Sequence, residues 1–424
     1  MGGEEFVHLH VASSASMRYG ASHPADLVAR AVELGQPALG LTDRDGLYGA
    51  VRFVRACTEA GIEPVLGVDL ALGETVDATP ATGTPFVTGL REERAPGGSR
   101  TAPSRTPVKG GALVDDQQPR VVVLARGQRA GLEPGAGWAR LCRLVTQTHL
   151  AGQRSVPRTT PALLARAAAA VDGVAPVVVL LGPDSDVGRA VLARRRDQAR
   201  RLLQAWVDLL PGAVRVEVVC HGGPEGSPAS LSHATALWAL AREVGVPAVL
   251  TAAVRHALPE QARVVDVLDA ARRMVALDER HLDRVSTAGH LAGTGAMHAV
   301  ARQLERASGA GARAADLLRD TLALAAQCCQ DPRSDLGIGA VHLPEPEVLG
   351  VRGVGQAHRV LTERCDQAVA TRYPGAGTAY LDRVRARLQE TEATTTTSRR
   401  VSRLLVAECR SRSTSSLIEE SFSM

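Results

Sequence analysis

The sequence predicts an α/β fold: a distorted barrel of strand–helix units, then a mostly helical segment, then a tail without a core. Three observations carry this expectation. Short apolar runs alternate with stretches of helical period from Phe6 to about residue 275, the pattern of strands joined by crossover helices. Beyond residue 275 only helical periodicity remains. From Thr391 onward Ser, Thr and Arg dominate and no apolar stripe is sustained.

The elements follow in order. Val7–Val11, within Phe6-Val-His-Leu-His-Val11, reads as the first strand. Pro24–Leu34 is a helix with Leu27, Val28, Ala31 and Val32 on one face; His23-Pro24 suits its start and Gly35 its C-cap. Pro37–Leu41 is a short buried strand, Leu47–Ala60 a helix stopped by Gly61, and Pro64–Leu72 a strand. Gly73 to about Pro119 is rich in Thr, Pro, Gly, Arg and Ser and reads as a disordered surface insertion. The alternation resumes with strand Arg120–Arg126, helix Trp138–Gln147, strand Val174–Leu181, helix Arg189–Leu210 and strand Val214–Val219. Helix Ser230–Val244, strand Ala248–Ala253 and helix Glu260–Ala271 complete the barrel. The later helices are Met297–Ala307, Ala312–Cys329, Gln356–Ala370 and Tyr380–Leu388, with an extended Gly/Pro link at Leu336–Pro346. In such a barrel the strand C-termini converge on one mouth, where chemistry gathers. Val7–Val11 and Leu41-Thr-Asp-Arg-Asp-Gly-Leu-Tyr-Gly-Ala-Val51 both end there.

A chain of 424 residues has room for two or three domains. Its net charge of +4 permits nucleic-acid contact without requiring it. Arg exceeds Lys as in proteins from GC-rich genomes, so the choice of Arg says little. The seven cysteines are scattered and form no CxxC pair, which argues against a disulfide framework and a structural zinc and for reduced cytosolic thiols. No basic segment followed by an apolar run opens the chain, and no window approaches a membrane span. The expected location is the cytoplasm, away from membranes.

The segments HLHVASSAS, RYGASHP, PALGLTDRDGLYGAVRF, AGIEPVLGVDL, GWARLCRLVT, VLTAAVRHALPEQARVVDVLDAARR and LGIGAVHLPEP, in that order, resemble the N-terminal part of bacterial C-family DNA polymerase III alpha subunits. The likeness is to the actinobacterial, error-prone branch and covers roughly residues 5–72 and 112–390. It implies a polymerase-and-histidinol-phosphatase (PHP) domain over residues 1–275, interrupted at 73–119. A helical opening of the polymerase palm would follow at 276–390, and a disordered tail at 391–424. The family activity is DNA-directed DNA polymerisation in replication or error-prone repair. Implied partners are a replisome or proofreading subunit, and DNA through the polymerase region.

PHP domains hold up to three divalent metals with His, Asp and Glu at the barrel mouth. There the cations polarise a phosphoester and activate water. Matched to that pattern, this chain keeps His10 but has Ala12 at the second His of the first motif. His8 precedes the motif and does not replace it. Tyr19 stands at an acidic position. Asp43 remains, but Arg44 follows where a His belongs. Asp69 replaces a Glu, Arg120 a His, and Ala253 and Arg255 the late Asp-x-His pair, with His256 one residue out of phase. His221 matches a further ligand position. The surviving set, His10, Asp43, Asp69 and His221, implies no resident cofactor beyond at most one ion of Mn, Zn or Mg. The arginines are expected to pair with Asp43 and Asp69, leaving no catalytic residue in this chain. Two further readings stay open: a stand-alone metal-dependent phosphoesterase, and a non-catalytic replisome interaction module.

Other features have plainer readings. His149, His233, His281, His290, His298 and His342 lack ligand partners at useful spacing. Gly182-Pro-Asp-Ser-Asp-Val-Gly188 lacks the phosphate-loop pattern and reads as a turn whose Asp or Ser caps the next helix. The run Arg194-Arg-Arg-Asp-Gln-Ala-Arg-Arg201 reads as a solvated helix face, with DNA phosphates as the alternative.

The family's palm aspartates, which carry two Mg²⁺ ions for nucleotidyl transfer, are not matched after residue 275. Near residue 393 a motif resembling HHDF is expected, and Thr395-Thr-Thr-Ser398 stands there instead. Codons of the type ACC-ACG-ACT-TC, preceded by C, read His-His-Asp-Phe one base earlier. A frameshift near residue 393 is therefore expected, the alternative being a naturally short protein. Translation of the coding DNA downstream in the other frames should give polymerase-like sequence; none there refutes the frameshift.

Overall fold

The computed structural model describes residues 5–73, 76, 118–151, 156–273, 277, 287–339, 350–351 and 353–396. Most of the expected insertion, the later part of the Leu336–Pro346 link, His281, His342, Cys409 and the expected tail from residue 397 lie outside the described residues.

Residues 1–338 form one compact unit. Its six strands lie side by side in chain order: β1 (Ala38–Leu41), β2 (Glu63–Ala71), β3 (Arg120–Ala125), β4 (Val177–Leu181), β5 (Val214–Val219) and β6 (Ala248–Thr251). The helices are α1 (Pro24–Glu33), α2 (Ala50–Ala60), α3 (Ala136–Ala151), α4 (Pro161–Ala168), α5 (Asp186–Leu192), α6 (Arg196–Leu209), α7 (Leu231–Val244), α8 (Ala262–Arg273), α9 (Thr294–Ser308) and α10 (Ala314–Cys328). Residues 339–424 form a second unit. In it α11 (Gly353–Arg372) and α12 (Thr378–Thr396) pack together, with Val351, Ala357 and Leu361 buried. Helix α12 runs past Leu388 to Thr396, so the first residues of the expected tail continue a helix.

Local physics explains the elements. In α2 the buried side chains Ala50, Phe53, Val54 and Cys57 fall at helical spacing, and the helix ends on Gly61 at φ +72°, the left-handed cap glycine adopts without a Cβ clash. Strands such as Val177–Leu181 are apolar on both faces because both are covered. Strand alternation sorts the core in two. Val122, Leu124, Val178, Leu180 and Val249 face one side with Val7 and Leu9, where Leu324, Ala325 and Cys328 of α10 pack on them. The alternate residues Val121, Val123, Val177, Val179 and Val216 join the core under the other helices, which includes Phe53, Leu141, Trp206 and Leu237.

Three expectations need correction. The sheet is not wholly parallel: β3 runs antiparallel to both β2 and β4. Arg120 pairs with Ala71, so β3 starts beside the end of β2 and runs back along it. The helix expected over Arg189–Leu210 is two helices, because Arg194 takes φ +58° between α5 and α6. Helix α4 has no counterpart in the sequence reading, although Thr160 caps it and Pro161 opens it.

The expected first strand, Val7–Val11, is an irregular stave that closes the sheet. Gly40 N–H donates to His8 O (2.7 Å) and Thr42 N–H to Val11 O (2.7 Å), tying the segment to β1. On its other side Val254 N–H donates to His10 O (2.9 Å) and Ala12 N–H to Val254 O (2.8 Å), just past β6. With two such bonds on each side it makes only an isolated bridge, Val11 with Val254, rather than a ladder. Among the described residues no helix is long and apolar enough to cross a membrane.

The seam depends on a close backbone approach. A Cβ on Gly40 would sit 2.7 Å from Leu9 O and 2.8 Å from His8 O. Gly40→Ala is expected to lower unfolding free energy by about 1–3 kcal/mol. Gly295→Ala, in open space within α9, should be neutral or stabilising by up to about 1 kcal/mol. Denaturant titration of both variants checks the contrast.

Candidate functional site

The mouth lies where β1, β2, β5 and β6 end and β3 begins. Asp43, two residues past β1, is 1% exposed. Its Oδ1 accepts from Ser13 N–H (2.7 Å) and Ser16 Oγ–H (2.7 Å), and Ser13 Oγ lies 3.0 Å from both carboxylate oxygens. Burial pushes this carboxyl above the usual carboxylate range, and the serine bonds offset part of the rise. The expected pairing of Asp43 with an arginine is not observed: the serine-rich loop takes its acceptor sites first.

Asp69, on β2 and 3% exposed, holds the arginines instead. Arg44 Nε–H donates to Oδ2 (3.0 Å) and Arg120 Nε–H to Oδ1 (2.9 Å). Arg120 Nη2 also reaches Asp69 O (2.8 Å) and Asp45 Oδ1 (2.9 Å). Burial alone would raise the Asp69 pKa, but the adjacent guanidiniums of Arg120 and Arg44, with His10, bring it below the usual range. Register explains the geometry: Arg120 starts β3 beside Ala71, and Arg44 forms a bridge with Asp69.

Tyr19 organises a second cationic group. Its ring has the Arg44 guanidinium 3.4 Å and the Arg255 guanidinium 3.8 Å from its centroid. Arg255 is bidentate to Asp269 of α8 (2.8 and 3.0 Å) and also donates to Tyr19 O. Arg272 joins Asp269 at 2.7 Å. Ala253, at φ +43°, turns the chain between β6 and Arg255, and Ala12 lies in the seam.

Sequence reasoning missed Glu217. It is 2% exposed on β5 and accepts from His10 Nδ1 (2.7 Å) and from Thr251 Oγ (2.5 Å). The available signal was a lone carboxylate within Val-Arg-Val-Glu-Val-Val, a run otherwise fit for burial. Burial would lower the His10 pKa, but Glu217 more than compensates and raises it. His221 turns Nε2 to Ala252 O (2.7 Å), and burial lowers its pKa. His8 donates to Ala292 O (2.9 Å), its pKa lowered by burial to about 4, so it is a core histidine. His256 Nδ1 meets Leu258 O and its ring stacks on His290. Ser185 caps α5, its Oγ accepting from Gly188 N–H (3.0 Å), which accounts for the glycine-flanked turn.

The arrangement does not fit a metal cluster. Cations already occupy both oxygens of Asp69, hydroxyls and an amide surround Asp43, and His10 Nδ1 is taken up by Glu217. Among the described residues no group of three or more His, Cys, Asp or Glu side chains converges in a way that could hold an ion.

The PHP domain family matches residues 8–221. An error-prone DNA polymerase of Nocardia farcinica is 33% identical over 341 residues, covering 77% of this chain and 28% of the relative. One from Mycobacterium bovis is 32% identical over 296 residues, covering 69% of this chain and 22% of the relative. The chain thus spans between 22% and 28% of the length of these two relatives. A solved structure described as a metal-dependent phosphoesterase, from Bifidobacterium adolescentis, covers 59% of this chain and 88% of its own at 12% identity and TM-score 0.33, too loose to carry an argument.

Because the Asp69 pKa is depressed in the folded chain, its stabilisation is present above the unfolded carboxylate value near 4 and is lost as pH falls through the folded value. Asp69→Asn should cost about 3–5 kcal/mol at pH 7, since it leaves two largely buried guanidiniums short of a partner. The gap to the parent should narrow below about pH 3 in acid-dependent urea titrations; a gap independent of pH would contradict the assignment.

Proposed function

Since this chain belongs to the PHP domain family, we propose that it is the PHP region of an error-prone, C-family DNA polymerase alpha subunit whose barrel has become a scaffold. The polymerase part of this reading rests on the relatives' names and on collinear similarity over most of the chain. Nucleotidyl transfer would belong to the whole polymerase, acting in the cytoplasm in replication or error-prone repair, and not to residues of this chain. The scaffold part rests on one observation: the Asp69 carboxylate is clasped by Arg44 on one oxygen and Arg120 on the other. Fixed guanidinium charges take the place of divalent ions there and tie β1, β2 and β3 together at the mouth. Without clustered cations nothing would polarise a phosphoester or lower the pKa of water, so phosphoesterase activity is lost. A barrel freed from catalysis suits a docking role for a replisome or proofreading subunit.

After equilibration with Mn²⁺ or Zn²⁺ and desalting, elemental analysis should find less than about one tightly held ion per chain, because the remaining donors are too few and too encumbered. The same protein should not hydrolyse a nitrophenyl phosphodiester with Mn²⁺ above the rate in buffer. Two or three bound ions, or metal-dependent turnover, would overturn the scaffold reading in favour of a working phosphoesterase. The triple variant Ala12→His, Arg44→His, Arg120→His should take up more metal than the parent.

A further inference from the structure

The run Arg194-Arg-Arg-Asp-Gln-Ala-Arg-Arg201 belongs to the turn between α5 and α6 and the first turns of α6, and none of it bonds a mouth residue described above. Ala199, Leu202, Leu203 and Trp206 bury the inner face of α6, which forces Arg196, Arg200 and Arg201 outward. Arg194 and Arg195 project from the turn, and all five arginines are exposed. Their counter-charges are few: Asp197 within the run itself and two glutamates from neighbouring segments. Glu243 of α7 is shared by Arg196 (2.8 Å) and Arg200 (3.6 Å), and Glu225 lies 3.8 Å from Arg194 with both side chains near-fully exposed. Among the described residues the guanidiniums of Arg195 and Arg201 make no hydrogen bond or ion pair, although Arg195 N–H donates to Ala190 O (2.9 Å). Surface pairs of this kind contribute little, so the guanidiniums are available to a stronger polyanion.

Two features select the partner. No large apolar side chain is exposed between residues 186 and 210, so the face lacks the apolar centre of a protein interface. Nor does it carry an exposed aromatic on which bases could stack, as single-strand binders require. Guanidiniums alone suit phosphates, with Arg196 and Arg200 about 6 Å apart along the helix. We propose that the α5–α6 arginine face binds the phosphate backbone of duplex DNA without regard to sequence, making the PHP barrel itself a DNA contact. The choice of DNA as the polyanion rests on the polymerase reading above; the surface does not depend on the state of the mouth.

The test uses the full chain and a fluorescein-labelled duplex of arbitrary sequence, followed by anisotropy over a salt series. The parent should bind at low salt in the range of about 10⁻⁴–10⁻⁶ M and weaken steeply as salt rises. Arg195→Glu with Arg201→Glu should weaken binding at least about tenfold and reduce the slope of log affinity against log salt by about two. Arg52→Glu with Arg55→Glu, exposed on α2, changes the net charge equally and should leave affinity and slope near the parent's. No binding by the parent, unaltered binding by the first pair, or an equal loss from the second pair would each overturn the proposal. Binding that survives the Arg195 and Arg201 changes removes this face while leaving the polymerase reading standing. The scaffold reading of the mouth is tested separately, by metal content and turnover.

Discussion

The mouth of this barrel is organised by one buried carboxylate shared between two guanidiniums. Asp69 would be costly to bury as an isolated ion. Arg44 and Arg120 remove that cost by bonding one oxygen each, and in doing so they join the loop after β1, the middle of the sheet and the start of the reversed strand β3. Once Asp69 is so committed, its neighbours sort around it: Asp45 takes the spare edge of Arg120, and the Tyr19 ring receives Arg44 on its face.

The same logic repeats around the rim. Asp269 gathers Arg255 and Arg272, and Glu217 gathers His10 and Thr251. Each acid is answered locally, by a cation or by hydroxyls as at Asp43. Such a rim is satisfied without external ions, whereas an ion-holding rim keeps several acids and neutral imidazoles unanswered until metal arrives.

Much of this was legible in the chain. The strands and most helices could be located because their periods differ, two residues against 3.6, and because Gly35, Gly61 and Gly245 punctuate them. The arginines that surround the mouth acids, Arg44, Arg120 and Arg255, were visible as residue types. The direction of β3 was not, since a strand's apolar pattern reads the same in either sense. Nor was the break at Arg194, where a non-glycine residue adopts positive φ within an otherwise helical pattern. Glu217 was passed over because a single acid in an apolar strand carries no period.

By itself the sequence determined the α/β class and the order of most elements, both consequences of local pattern. Only the tertiary structure decided which acid meets which base. Arg44 neighbours Asp43 in the chain yet bonds Asp69, because Ser13 and Ser16 already fill the acceptor sites of Asp43 and strand register sets Asp69 beside Arg44 and Arg120. Pairing across 25 and 51 residues is a property of sheet register and burial, which no local pattern encodes.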